Sequence, residues 1–501
     1  MSSLRLPPPI FDDITSTIGN TPIVRIKSIS TLVPSIELSN IELLVKLEYL
    51  NSLSGSIKDR VAKRILEDAE KENKINSDTT LLIPTTGNLG ISIAMLAHKK
   101  GYKTIVLVPE RTTIDRIHIL KALGAEIIRT QNEAHHDAPE SNFSLAKKLS
   151  SEITNSIVVD EFNNQNNYKL HYEETAEEIY TQVEGKLNVL VVGVESGATI
   201  TGLAKNLKSR IPGLKVVAVE PQHSRIQDNI PINPSSIKDR KVEDIGSNFT
   251  PPILDKSLID SWIKVIDQES FAMSRRLINN GLLAGPSSGS VVSAALSYVK
   301  RQSTQSTTQD NSTRILCILN DTARNYSTTL LSDEWLLEND LMDDEMVRKL
   351  EYQKIEKFRA ASVEDLQLPA AVTISPNATI SHAIELMLDR EYSQLPVIDT
   401  HKKLIGYVSL ASLQTHLEVG EATLKDAISD WMFSFGSKNG GAKRKRYQLV
   451  TPDTPLSELA KFFEKHSFAV VTDSERKWCL GVATKYDLIN FLNHRNSGAF
   501  S

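Results

Sequence analysis

Cysteine is nearly absent: Cys317 and Cys479 are the only two in 501 residues. That excludes a disulfide framework or a cysteine-rich metal centre and leads us to expect a reducing compartment. No hydrophobic run approaches a membrane span, and Met1–Ile10, with three prolines, lacks an apolar core of signal-peptide length. Charge of one sign is not in large excess. A formal net charge of −5 gives no basis for a nucleic-acid partner. What remains is a cytoplasmic globular protein, an expectation that suits 40% hydrophobic and 24% charged residues. The length predicts two or three domains.

From Leu43 to Leu319, nine apolar strand-like runs alternate with segments of helical period: Leu43–Glu48, Thr79–Pro84, Lys103–Val108, Glu126–Arg129, Ile157–Val159, Asn188–Gly193, Lys215–Glu220, Trp262–Ile266 and Arg314–Leu319. Continuous apolar strands separated by helices predict parallel sheet covered on both faces. Nine strands suit two packed α/β halves better than one sheet. Helices are expected at Asn88–Lys100, Thr113–Leu123, Tyr168–Val183 and Gln268–Asn280. Gln302–Thr313 is polar and low in complexity, a solvated loop. Glu334–Ala361 is charged and reads as a helical connector.

The chain then repeats itself. Leu366–Leu417 and Ile428–Leu492 share an order: a strand-like start near a proline, a helix, an apolar strand, a Gly-led strand and a closing helix. Neither copy buries much core alone, so the two are expected to pack together. The second copy is interrupted around Gly436–Arg446 by Gly-Gly and a basic run, read as a flexible loop.

Ser54-Gly55-Ser56-Ile57-Lys58-Asp59-Arg60 organises the first region. It leaves a strand and opens a helix whose Val61, Ile65, Leu66 and Ala69 share one face. Taken alone, this is a capped helix with a surface lysine. Three more loops join strand to helix: Thr85-Thr86-Gly87-Asn88, the run Gly193–Thr199, and Gly285-Pro286-Ser287-Ser288-Gly289. Each supplies hydroxyls and helix-start N–H groups, an anion-binding geometry placed where open α/β sheets hold ligands.

These motifs, with Gly19-Asn20-Thr21-Pro22, Lys46-Leu47-Glu48, Ala122–Glu126, His171-Tyr172, Thr201-Gly202, Gly281–Leu283 and Asp333–Leu336, give the chain a resemblance. It resembles the fold-type-II pyridoxal-phosphate enzymes, and among them the cystathionine β-synthase family of the heme-free fungal kind. The tail resembles that family's paired CBS regulatory repeats. The resemblance implies a two-part, tryptophan-synthase-β-like catalytic region over 1–335, a charged helical linker over 336–362, and CBS repeats over 363–425 and 426–497. It implies pyridoxal 5′-phosphate, no heme and no metal. Lys58 would carry the cofactor and shuttle protons. Asn88 would bond its ring hydroxyl, Ser287 its pyridine nitrogen, and Glu195, Ser196, Gly197, Ala198 and Thr199 its phosphate. Thr85, Thr86 and Gly87 would hold the substrate carboxylate. The implied reaction is β-replacement of serine's hydroxyl by homocysteine to give cystathionine, in a homo-oligomer. Thr484 and Asp487, in Gly481-Val482-Ala483-Thr484-Lys485-Tyr486-Asp487, would bind the ribose of an adenosyl ligand. In the first repeat Ser412 stands in the acid's place.

The chain departs from that family's pattern in its ligand-facing loops. Glu195 and Ala198 replace glycines of the phosphate loop, so Glu195 would face the cofactor's phosphate. Two like charges ~5 Å apart cost about 3 kcal/mol at an effective dielectric of about 20. Ala198 adds a Cβ where a positive φ is expected. Leu89 replaces threonine, Glu161-Phe162 replace Gln-Tyr, Asp244 and Ser247 alter the Gly-Ile-Gly-Tyr segment, and Pro286 replaces glycine. The departures imply a different substrate or weakened catalysis. Two alternatives follow: a cysteine-synthase-like or serine/threonine-deaminating enzyme, or a catalytically weak paralogue acting as a regulatory or hetero-oligomer subunit. His135-His136-Asp137 has no further ligand at metal-site spacing and is read as a surface loop.

Overall fold

The computed structural model describes residues 10–27, 32, 41–85, 87–132, 136–228, 240–303, 313–358, 360–435, 450–475 and 477–497. The chain divides into two compact units, Met1–Met346 and Val347–Ser501. Thr86, His135, most of Gln302–Thr313 and the insertion at Gly436–Arg446 lie outside the described residues.

Among the described residues the first unit has ten strands in chain order: β1 Ile23–Arg25, β2 Ile41–Leu47, β3 Thr80–Pro84, β4 Lys103–Pro109, β5 Glu126–Thr130, β6 Ser156–Val158, β7 Val189–Gly193, β8 Lys215–Pro221, β9 Ser261–Val265 and β10 Thr313–Leu319. The nine expected runs all form, in two sheets. One runs β1-β2-β10-β7-β8-β9 and the other β5-β4-β3-β6. Every pairing is parallel except β1 on β2, an antiparallel edge the sequence pattern did not suggest. At three residues, that edge is too short to carry a period.

Both faces of the larger sheet are covered, which is why its strands are continuously apolar. Alternation sorts them: Leu43, Val45, Val191 and Cys317 join one core, while Leu44, Leu190, Val192 and Leu316 join the other. The smaller sheet does likewise, with Ile83 and Val106 on one face and Leu82 and Leu107 on the other. Tyr168–Val183 is helical but not uniform. Residues Gln165–Leu170 and Ala176–Gln182 flank a wider π turn at His171–Thr175.

The charged connector is two helices rather than one, Asp333–Glu338 and Asp344–Phe358. Asp340 takes a left-handed φ of 56° between them. Leu336 and Leu341 are both buried, and the chain turns there to bury them.

In the second unit the expected order holds from each first helix onward. Ile380–Asp389, Gln394–Ile398, Leu404–Ser409 and Leu410–Glu418 answer to Leu456–Phe462, Phe468–Thr472, Cys479–Thr484 and Lys485–Ser497. The strand-like start of the first copy shrinks to a single parallel bridge, Ile374 to Val397, and in the described part of the second Val450 bridges Val471. Each copy has its own core. The copies also touch: Val363, at the start of the first, joins the core of the second, and Tyr407 packs edge-on to Phe468 at 5.0 Å.

Candidate active site

Parallel strands gather their C-terminal ends, and the site is built there. β2, β10 and β7 are neighbours, and they lead into Lys58, Asn320–Thr322 and Glu195 respectively. In the other sheet the neighbours β3 and β6 lead into Thr85–Asn88 and Glu161. The chain after β10 fastens the loops together. Ile57 N donates to Asn320 O (2.8 Å), Thr322 N to Gly55 O (3.0 Å), and Gly285 N to Asp321 O (2.9 Å).

Lys58 begins the helix Lys58–Lys71 and is buried, not a surface residue. With Asn88, Glu195, Ser196, Gly197 and Thr199 it lines one small cavity. Its Nζ donates to Glu195 Oε2 at 2.6 Å and to Glu161 Oε2. Against the cost of burial, the two carboxylates hold the ammonium above the ordinary lysine range. Burial pushes Glu161 above the ordinary carboxylate range despite Lys58, and the charge of Glu195 adds to the rise.

The phosphate loop corrects one expectation and sharpens another. Its positive φ falls at Gly197 (81°), where a Cβ would lie 2.6 Å from Leu254 Cβ. Ala198 is already the first residue of the helix Ala198–Arg210, so its Cβ causes no backbone strain. Glu195 does not turn to solvent. It is buried, facing Lys58. Thr199 Oγ1 pairs with His171 Nε2 at 3.2 Å. Burial, with the charge of Arg60 nearby, pushes His171 down to about 3.

Asn88 is engaged by protein groups: its Nδ2 donates to Asp321 Oδ2 (3.0 Å), and its Oδ1 accepts from Asn325 Nδ2 (3.1 Å). Gly87 N donates to Thr85 Oγ1 at 3.1 Å. Gly87 has φ 142°, and a Cβ there would lie 2.4 Å from Arg116 Cδ. Ser287 lies near the start of the helix Pro286–Ser303, fully buried, and its hydroxyl has no partner. In the second repeat, Thr484 N and Oγ1 both donate to Asp487 Oδ2, each at 2.7 Å. This is a helix-start cap.

Sequence reasoning missed a second charged cluster. Arg116, fully buried, donates to Asp244 (2.6 Å), Asp321 (3.2 Å), Glu243 and the Tyr326 hydroxyl. Burial and the neighbouring Asp244 push Asp321 well above the carboxylate range, whereas Arg116 holds Asp244 below it against burial. Asp244 stood out in the sequence as a departure, but nothing in Ile114–Ala122 marked Arg116 as its partner. His136 also differs from the surface reading. It stacks on Phe249 at 4.1 Å and, with Arg111, Phe162 and Arg240, lines a larger cavity that includes Glu161 and Glu195. Among the described residues, no group of three or more His, Cys, Asp or Glu is placed to hold a metal.

An amine at a cavity, a helix start with a left-handed glycine and a buried hydroxyl without a partner suit an aldehyde, an anion and a ring nitrogen. These are the groups of pyridoxal phosphate, and Glu195 is a residue lining the cavity whose charge opposes the cofactor's phosphate. The fold and this site define a fold-type-II pyridoxal-phosphate-dependent enzyme with paired CBS domains. The family described as pyridoxal-phosphate dependent enzyme matches residues 14–321, and the CBS domain matches 363–418 and 443–494. Cystathionine beta-synthase of Dictyostelium discoideum is 41% identical over 96% of this chain and 92% of its own length. That of Saccharomyces cerevisiae is 35% identical over 96% and 97%. The chain belongs to the cystathionine β-synthase family. Among solved structures, the O-acetylserine-dependent cystathionine beta-synthase of Helicobacter pylori superposes with a TM-score of 0.56 at 33% identity, covering 64% of this chain and 98% of that one. A hydrogen sulfide-producing enzyme of Fusobacterium nucleatum gives 0.56 at 33% identity, covering 64% and 99%.

Proposed function

We propose that the protein catalyses β-replacement on L-serine with L-homocysteine as the incoming thiol, giving cystathionine in the cytoplasm. One observation carries the reading: Lys58 is buried in a single cavity with Asn88 and the Ser196–Thr199 loop. Curated relatives that align over nearly the whole chain bear the name of that activity. Pyridoxal phosphate, when bound, supplies the electron sink that lets a β-substituent leave an amino acid. Ser287 would meet its ring nitrogen as a neutral partner, Asn88 its ring hydroxyl, and Ser196, Gly197 and Thr199 its phosphate. Thr85, Thr86 and Gly87 would fix the substrate carboxylate at a helix start. Lys58 would move the proton at Cα and deliver one to the departing hydroxyl, with Glu161 within hydrogen-bond reach to take and return it. Thr484 and Asp487 would give the second repeat an adenosyl-binding acid, in a homo-oligomeric enzyme.

Two other readings have support. The Helicobacter pylori neighbour is named as dependent on O-acetylserine, an activated serine. The carboxylate pair on Lys58 favours a weak catalyst acting through an active relative. The test supplies pyridoxal phosphate and homocysteine with either serine or O-acetylserine and measures cystathionine. Product from serine supports the proposal. Product from O-acetylserine alone moves the donor, and none from either favours the subunit role.

A further inference from the structure

We infer that Glu195 serves as an internal counter-anion in the loop Gly193–Thr199, pairing with Lys58 where the cofactor's phosphate would enter. The loop is built to attract an anion: it ends β7, turns left-handed at Gly197 and opens the thirteen-residue helix Ala198–Arg210. The carboxylate of Glu195 lines the same small cavity as Ser196, Gly197, Thr199 and Lys58, and it is buried against the ammonium at 2.6 Å. Both ends of the cofactor site are therefore occupied by one ion pair. The anion seat is taken by a carboxylate, and the nucleophile is tied up as an ammonium, which cannot attack a carbonyl carbon.

The second carboxylate, Glu161, enters the same balance. Glu161 and Glu195 both bond that one ammonium, and the charge of Arg240 also acts on Glu195, so the negative charge at this end of the site is already matched by cations. A phosphate dianion would add negative charge. An uncharged analogue would not, and so Glu195 sets what the loop accepts. Pyridoxal need only release Lys58 from its ion pair, whereas pyridoxal phosphate must also displace the carboxylate from the anion seat. The protein without cofactor is then a charge-satisfied state rather than one with a bare, electropositive loop. This inference does not depend on which amino acids are the substrates.

The test uses the cofactor-free, full-length protein. Pyridoxal phosphate and pyridoxal are titrated separately, each followed by its own absorbance and by tryptophan fluorescence. Glu195→Gln, of equal size, is expected to tighten pyridoxal phosphate about a hundredfold, the Coulomb cost of two like charges ~5 Å apart at an effective dielectric of about 20. Pyridoxal, which also needs Lys58 released, should tighten less, and its retained binding reports that the variant's pocket is folded. Glu195→Gly combined with Ala198→Gly must move the ratio of the two affinities in the same direction. An equal change for both ligands, or no change in either, overturns the inference. Neither arm uses serine or homocysteine, so failure here is separate from failure of the proposed reaction.

Discussion

Lys58 Nζ and Glu195 Oε2 lie 2.6 Å apart, joining the first loop of the larger sheet to one that follows 137 positions later. The pair exists because β2 and β7 flank β10 and end on the same side. Its first consequence concerns Lys58 itself. Lys58→Ala removes the ammonium that bonds both Glu161 and Glu195. Cystathionine formation should fall by about 10²–10⁴-fold, the usual share of a positioned proton carrier. The absorbance band of covalently held cofactor should vanish from the visible spectrum.

Glu161→Gln tests the other half of the clamp. An amide cannot stabilise the ammonium by charge, so Lys58 should deprotonate at lower pH. The pH midpoint for covalent cofactor attachment, read by absorbance, should shift down by about one unit or more. An unmoved midpoint would show that Glu195 alone sets the state of the lysine.

The buried hydroxyl of Ser287 predicts a separation of stability from binding. It has no partner to lose, so Ser287→Ala should change urea stability by less than about 1 kcal/mol. The same substitution should weaken cofactor retention during dialysis. A large stability loss with normal retention would place Ser287 in the core and not in the site.

Arg116 should behave in the opposite way. Its removal strands Glu243, Asp244 and Asp321 in a dry interior. Arg116→Met is therefore expected to cost about 3–5 kcal/mol by urea unfolding. Adding Asp244→Asn should recover part of that loss, because one of the stranded charges is gone.

His171 predicts how stability depends on acid. Burial, with Arg60 nearby, lowers it from 6.5 to about 3 in the folded protein. Between those values the unfolded chain binds a proton that the native state does not. Stability from this group is thus complete above pH 6.5 and is lost as pH falls, by about 1.4 kcal/mol per unit. His171→Gln, which can keep the bond to Thr199 without titrating, should flatten the difference in urea midpoint between pH 7 and pH 5.

The central strands, such as β3, β7 and β8, were legible in the sequence because they are buried on both faces and read as unbroken apolar runs. The edge β1 was not, at three residues with one neighbour. The connector's break at Asp340 was hidden too, since helical composition continues through it while burial of Leu336 and Leu341 decides the turn. Lys58, Asn88 and the Gly193–Thr199 loop were visible as loops at helix starts, and the structure lines one cavity with Lys58, Asn88, Glu195, Ser196, Gly197 and Thr199. The Arg116 cluster was illegible. A charged residue inside an amphipathic helix looks solvent-facing until the chain after β10 and the Glu243–Asp244 turn close over it.

By itself, then, the sequence determined the alternation of strand and helix, the two repeats and the placement of a lysine at a loop, all of which depend on neighbours along the chain. Only the tertiary structure decided what that lysine meets. Glu161 and Glu195 lie 103 and 137 residues from Lys58, and at that separation only the closing of two sheets sets the distances. Burial of an ammonium with two carboxylates depends on those distances and on the exclusion of water, and neither is a property of any local stretch.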